Sequence, residues 1–164
     1  MKLPELLKSR KEHLARLSNK NGSEGELLSI QMTHNWIKRP KGKEMKNLLH
    51  VLHERQIHIK STSFDAIHLP DEIEVNFKNV ESIENAFPYM TFIEIKSGKQ
   101  NRIKEDFSGF FFAITENEIK ASEHLKDKYV VALFNKNTKD LLLTSIPEII
   151  QRSRSSNWQV SVQL

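Results

Sequence analysis

The sequence predicts an α/β fold: a central mixed sheet flanked by helices, with an extra N-terminal helical segment. Three observations carry this expectation. Apolar residues recur at helical spacing through residues 3–56. From residue 57 the period changes to two, the signature of strands. Residues 129–134, Tyr-Val-Val-Ala-Leu-Phe, are a continuous apolar run of the kind buried on both faces of a sheet. A single domain over residues 1–164 accommodates all of this, divided into N-terminal helices (1–56), a core (57–150) and a tail (151–164).

In chain order, Leu3, Leu6, Leu7, Leu14 and Leu17 place an amphipathic helix over residues 3–18. Residues 19–23 form a loop, with Gly22 as a helix stop. Ser23 and Glu26 have capping-box spacing, so a second helix starts there and carries Leu27, Leu28 and Ile30, extending toward Met32, Trp36 and Ile37. Residues 38–43, Lys-Arg-Pro-Lys-Gly-Lys, are a basic loop. A third helix over residues 44–56 presents Met45, Leu48, Leu49 and Leu52 on one face. Residues 57–60 and 63–69 read as strand stopped by Pro70, and residues 73–77 alternate as a neighbouring strand. Residues 82–86 are a short turn or helix.

The strand over residues 89–97 is rich in aromatic and β-branched side chains. A basic exposed loop follows over residues 98–106. Residues 107–114 read as a buried aromatic strand with a bulge at Gly109, which makes Phe110, Phe111 and Phe112 core rather than a base-stacking platform. Thr115 and Glu118 are a second capping-box pair, opening a helix through Ile119 and Leu125. After the run at 129–134 come a turn, a short edge strand over residues 141–143 and a last helix with Pro147 in its first turn. The tail alternates through Trp158, Val160 and Val162 as an edge strand does.

Composition narrows the function classes. There are 25 Lys+Arg against 21 Asp+Glu, a formal charge of +4, which is compatible with a polyanionic partner. The absence of cysteine excludes disulfides and thiolate zinc sites. A hydrophobic content of 38% with 28% charged residues fits a globular chain rather than a disordered one. No apolar run has the length of a membrane span, and Met1-Lys2-Leu3-Pro4-Glu5 is too charged for a secretory signal. The expectation is a cytoplasmic protein with no membrane partner.

The chemistry concentrates in residues 89–97. Strand alternation puts Glu94 and Lys96 on one face and Ile93, Ile95 and Ser97 on the other. A carboxylate and an ammonium within an apolar strand are costly to desolvate without partners. Nuclease chemistry uses such a pair: the carboxylate helps hold a hard cation such as magnesium, and the lysine sits beside the attacking water and the phosphate. A surface ion pair along one strand face is the plain structural alternative. Asp65, in Phe64-Asp65-Ala66-Ile67, is a second acid placed mid-strand among apolar neighbours. His50 and His53 are three apart and suit either a metal or, more simply, a solvated helix face.

The order of elements around Asp65 and Glu94-Ile95-Lys96 resembles the PD-(D/E)XK nuclease superfamily, which converges an Asp and a (Asp/Glu)-X-Lys on a divalent metal at a sheet edge. A tighter resemblance runs through Phe92-Ile93-Glu94-Ile95-Lys96, Thr115-Glu116-Asn117-Glu118, residues 129–135 and Ser145-Ile146-Pro147. These segments are similar to the "IEVK" strand, "TxNE" helix start, "YxLYVVxN" strand and proline-containing segment of the NO VEIN C-terminal-like domain. That domain is a branch of the superfamily found in bacterial restriction and defence proteins. The similarity covers roughly residues 60–150.

The resemblance implies a restriction-endonuclease-like sheet and a nuclease-like core over residues 57–150. It implies a magnesium-dependent endodeoxyribonuclease, with manganese substituting, acting on double-stranded DNA in a restriction or antiviral defence system. Asp65, Glu94 and Lys96 would be catalytic, and Asp65, Glu94 and the main-chain carbonyl of Ile95 would hold metal. The family's first acid lies close before its "IEVK" strand, whereas Asp65 lies 29 positions before Glu94, with residues 71–88 as an insertion. Asp71, Glu72 and Glu74 therefore stand as alternatives to Asp65. Ser97 stands where the family usually has Gly. Asn117, Glu26 and Glu44 are auxiliary candidates. Lys38, Arg39, Lys41, Lys43, Lys99, Arg102 and Lys104 are candidates for DNA phosphates. Two strands to cut suggest a homodimer, and defence-system subunits are further expected partners. Two other readings stay open: an inactive nuclease-fold module for DNA binding or assembly, and a helix-turn-helix within residues 26–56.

Overall fold

The structure, a computed structural model, describes residues 24–27, 29–31, 33–99 and 103–154. The expected first helix, Ser23 of the first capping box, Arg102 and the alternating tail lie outside the described residues.

Residues 24–27 and 29–31 are helical and are called α1. Then follow β1 (Trp36–Lys38), α2 (Gly42–Glu54), β2 (Ala66–His68), α3 (Val80–Ala86), β3 (Thr91–Gly98), α4 (Glu116–Leu125), β4 (Tyr129–Asn135), β5 (Leu141–Thr144) and α5 (Ile146–Arg152). The five strands form one sheet in chain order, β1-β2-β3-β4-β5. Every neighbouring pair is antiparallel except β3 and β4, which run parallel with α4 as their crossover. The chain is thus α/β with a mixed sheet flanked by helices.

Local chemistry explains the helix starts. Asn79 caps α3 by accepting the Ser82 N–H. Thr115 and Glu118 close a reciprocal capping box on α4, and Ser145 and Glu148 do the same on α5, where Pro147 sits in the first turn. α2 buries Met45, Leu48, Val51 and Leu52, the stripe its spacing predicts.

The sheet separates two apolar layers of unequal size. The larger receives α2, α3 and α4, through Leu52, Ile83 and Leu125, against Ile67, Phe92 and Val131. The smaller gathers Trp36, Ala66, Ile93, Ile95 and Ala132, with Ile30 of α1 packed on it. Phe92 faces the larger layer and Ile93 and Ile95 the smaller, so alternation turns Glu94 and Lys96 toward the larger one, where α4 lies.

α1 approaches the sheet closely at Gly25. A Cβ there would fall on the Ser97 side chain and on Cε of Lys136. Gly25→Ala is expected to cost about 1–3 kcal/mol of stability by forcing α1 outward. Urea denaturation checks this, and an unchanged midpoint contradicts it.

Four expectations are corrected. Residues 36–38 are strand, not the end of a helix: Trp36 pairs with His68 and Lys38 with Ala66. That strand lies between α1 and α2, so residues 26–56 are not a helix-turn-helix. Residues 57–60 and 73–77 are not strands, and of residues 63–69 only 66–68 join the ladder. The 73–77 segment is fastened by side chains instead, with the Asn47 amide donating to the Phe77 carbonyl at 2.9 Å. Residues 107–114 are not a strand either. Phe107 and Gly109 have φ of 62° and 89°, which breaks extended backbone, and Asp106 accepts from the Ser108 N–H in a local turn. Phe107 is buried and Phe110 and Phe112 pack on the core, but Phe111 is 80% exposed.

Candidate active site

The site forms where the sheet forks. β2 pairs with β3 only as far as Ala66 opposite Ile93. One residue further, the same register sets Asp65 opposite Glu94, so their side chains leave the same face. Asp65 still donates its N–H to the Ile93 carbonyl at 2.8 Å. Its carboxylate then takes over the ladder, with Oδ2 accepting the Ile95 N–H at 2.9 Å. Beyond this point no strand among the described residues pairs with the β2-facing edge of β3. The Ile95 carbonyl leaves the strand on the same side as its N–H, toward Asp65.

Arg39 fixes the turn that delivers Asp65. Its N–H donates to the Asp65 carbonyl at 3.0 Å, and its guanidinium to the Phe64 carbonyl at 2.9 Å. Nη1 lies 3.9 Å from Asp65 Oδ1. On the other side, the buried Tyr129 hydroxyl donates to the Ser63 carbonyl at 2.6 Å. Burial raises the pKa of that phenol, and Glu94, Glu118 and Asp65 add to the effect.

Three further charged groups meet above β3. Lys96 Nζ donates to Glu94 Oε1 at 3.0 Å and to Glu118 Oε1 at 2.8 Å. All three side chains are at most 13% exposed, so these pairs are largely desolvated. Glu94 Oε2 is buried and receives no hydrogen bond, and Ser63 Oγ is buried in the same state. The Asp65 and Glu94 carboxyls are close enough to share a proton. Burial and the neighbouring Asp65 push Glu94 up to about 9, with Glu118 adding and Lys96 opposing. Burial also raises Asp65, against the Ile95 N–H, Arg39 and Lys96. For Lys96 burial alone lowers the pKa, but Glu94 and Glu118 outweigh it and hold the ammonium above the usual lysine value.

Glu94 Oε2 is buried with no donor group beside it, so only a proton or a cation shared with Asp65 can satisfy it. That arrangement suits a cation better than it suits an empty core. Asp65, Glu94 and the Ile95 carbonyl are all hard oxygen donors, the type that magnesium and manganese take. Among the described residues no group of three or more His, Cys, Asp or Glu side chains is arranged to hold a metal ion, and the main-chain oxygen of Ile95 is the further donor on this side of β3.

The other expected residues divide. Glu26 faces the site: its pKa is raised by burial and by Asp65, and Lys38, Arg39 and Lys41 oppose the shift. The basic loop is therefore beside the fork, with Lys38, Lys41 and Lys43 exposed. Arg39 is instead turned inward onto main-chain carbonyls. Lys99 and Lys104 are exposed. Glu44 lies in the first turn of α2, and the charges acting on Asp65 and Glu94 are Arg39, Lys96 and Glu118 rather than Glu44. Asn117 lies on the outside of α4, lining a shallow groove with His53, His58 and Lys120. Asp71, Glu72 and Glu74 are exposed, and Asp71 pairs with His34 at 3.1 Å. Of the competing acids, Asp65 is the one beside Glu94. His53 packs edge-on against His58, with ring centroids 4.6 Å apart.

Glu118 was expected only as a cap. The signal for a second role is its place on the apolar stripe of α4: Glu118, Ala121 and Leu125 are all buried, at helical spacing. Among the described residues no helix is long and apolar enough to cross a membrane. Compared with family models, curated proteins and solved structures, the chain matches none.

Proposed function

We propose that this protein is a metal-dependent endodeoxyribonuclease of the PD-(D/E)XK type, similar to the NO VEIN C-terminal-like domain and serving restriction or phage defence. The single observation that carries the reading is the orphaned Glu94 Oε2, buried beside Asp65 while Lys96 grips the other oxygen of the same carboxylate. Asp65, Glu94 and the Ile95 carbonyl would hold magnesium or manganese. Bound there, the cation supplies Lewis-acid polarisation of the phosphate and a more acidic water.

The chain's own residues do the rest. Lys96, kept charged by Glu94 and Glu118, directs its one remaining N–H at the attacking water and offsets the negative charge that builds on the phosphoryl oxygens. Arg39 and Tyr129 hold the turn from which Asp65 projects. Lys38, Lys41 and Lys43 contact phosphates of duplex DNA beside the fork. Water attacks phosphorus and the 3′ oxygen leaves, giving a 5′-phosphate and a 3′-hydroxyl. The test is conversion of supercoiled plasmid to nicked and linear forms in magnesium, abolished by chelator. No conversion in magnesium or manganese contradicts the reading.

One observation favours a second reading, a nuclease-fold module that binds DNA or assembles without cutting: the Lys96 ammonium is already occupied by two carboxylates. Calorimetric titration separates the two. Manganese binding that is lost in Asp65→Asn supports the hydrolase, and no binding by the wild-type protein supports the module.

A further inference from the structure

Lys96 is gripped from two elements that have no sequence proximity. Glu94 holds it from its own strand at 3.0 Å. Glu118 holds it from the first turn of α4 at 2.8 Å, through Oε1. The other oxygen of Glu118 serves the cap: Oε2 accepts the Thr115 N–H at 3.0 Å, while the Glu118 N–H donates to Thr115 Oγ1 at 3.3 Å. One carboxylate therefore closes the cap of α4 and fixes the amine of β3. Glu118 is 5% exposed, so neither bond competes freely with water.

A lysine side chain has four rotatable bonds, and ordering it costs rotamer entropy that the contacts holding it must offset. Glu94 alone cannot define the position of Nζ, because it lies two residues away on the same strand and its own second oxygen has no donor. A second acceptor from a different element does define it. α4 is also the crossover that joins β3 to β4, so this ion pair ties the start of the crossover to the strand that precedes it. Each Glu118 oxygen already accepts one hydrogen bond, Oε1 from Lys96 and Oε2 from the Thr115 N–H.

We infer that Glu118 is a positioning residue: its carboxylate couples the N-terminal cap of α4 to Lys96 and sets where the Lys96 ammonium stands relative to the Asp65–Glu94 pair. The inference rests on the nuclease reading for its catalytic meaning, but the geometric statement is independent of activity.

Substitution separates the two duties of Glu118. In Glu118→Gln the side-chain carbonyl still accepts the Thr115 N–H, so the cap survives, but an NH2 group then faces the ammonium. In Thr115→Ala the cap loses one bond, while the Glu118 carboxylate still reaches Lys96. Two readouts are needed. The first is the rate of reductive methylation of Lys96 by formaldehyde and a hydride donor, followed by mass spectrometry. The second is magnesium-dependent plasmid nicking together with manganese affinity by calorimetry.

Glu118→Gln is expected to melt near the wild-type temperature and to bind manganese with unchanged affinity. Its Lys96 is methylated several-fold faster, and nicking falls by about 10–100-fold, as when the partner that orients a site group is lost. Thr115→Ala melts lower but keeps Lys96 protected. Should Glu118→Gln not fold, Glu118→Asp keeps the cap and the charge but is one methylene too short to hold both groups, and it is expected to expose Lys96. Equal methylation of Lys96 in wild type and in a folded Glu118 variant overturns the inference, whatever the nicking rates. Faster methylation in a protein whose wild type cuts no DNA leaves the Glu118–Lys96 coupling standing and removes the nuclease reading instead.

Discussion

Glu94→Ala and Lys96→Ala proteins are expected to lose magnesium-dependent nicking by on the order of 10³-fold while still melting cooperatively. Each removes a group for which the fold offers no substitute. Without Glu94, Asp65 keeps Arg39 and the Ile95 N–H but loses the carboxylate it faces, while Glu118 stays tied to Lys96 and to the cap of α4. Without Lys96, no other ammonium among the described residues pairs with Glu94 or Glu118. The two variants should differ in metal binding. Glu94→Ala loses manganese affinity, whereas Lys96→Ala retains it with little turnover. Retained nicking in either variant contradicts the proposed mechanism.

The second large effect runs in the opposite direction. Glu94→Gln is expected to abolish nicking and yet stabilise the metal-free protein at pH 8 by about 1–3 kcal/mol, the scale of relieving a buried unsatisfied polar group. Glutamine presents an oxygen to Lys96 and an NH2 where Glu94 Oε2 now lacks a donor. The pH dependence follows from the direction of the shifts. Glu94 is raised in the folded state from 4.5 to about 9, by burial first and then by Asp65. Its contribution is therefore fully present below the unfolded value and is lost as pH rises toward about 9. Asp65 is raised as well and acts in the same sense. Lys96 is raised from 10.5, so its contribution persists across this window. Metal-free wild type should thus lose stability between pH 5 and pH 9, and Glu94→Gln should lose less. Thermal melts in chelator over that range check it. A wild-type protein that gains stability over the range contradicts it, as does a Glu94→Gln protein less stable than wild type at pH 8. Stability given up at a site that functions only when occupied is a familiar trade.

Sequence reasoning located β3, α4, β4 and α5 well, because each carries a signal that tertiary context does not overrule. The apolar run of β4 and the capping boxes at Thr115 and Ser145 are local and strong. β1 was not legible. Trp36-Ile37-Lys38 has three residues, follows a helical pattern and owes its strand geometry to pairing with β2. Residues 107–114 misled in the other direction: their aromatic content suggests a strand, but positive φ at Phe107 and Gly109 forbids a ladder, and the rings pack as a loop. Glu94 was legible as a buried acid in an apolar strand and Asp65 as an acid among apolar neighbours, although Asp65 stands just before β2 rather than within it. Their adjacency was expected from the family resemblance alone, since the register of β2 against β3 that produces it is encoded by no local pattern. Arg39 was read as a phosphate contact because it lies in a basic loop. In the fold its guanidinium serves the Ser61 and Phe64 carbonyls, main-chain acceptors that sequence cannot display.

The claim beneath all of this is that Asp65 and Glu94 meet at one cation beside the Ile95 carbonyl. The most direct measurement is anomalous diffraction from crystals of the wild-type protein soaked in manganese. The account predicts a single strong peak in contact with Asp65, with Glu94 Oε2 and with the Ile95 carbonyl, absent in Glu94→Gln. Manganese bound elsewhere, or no peak at this fork with metal in excess, contradicts it.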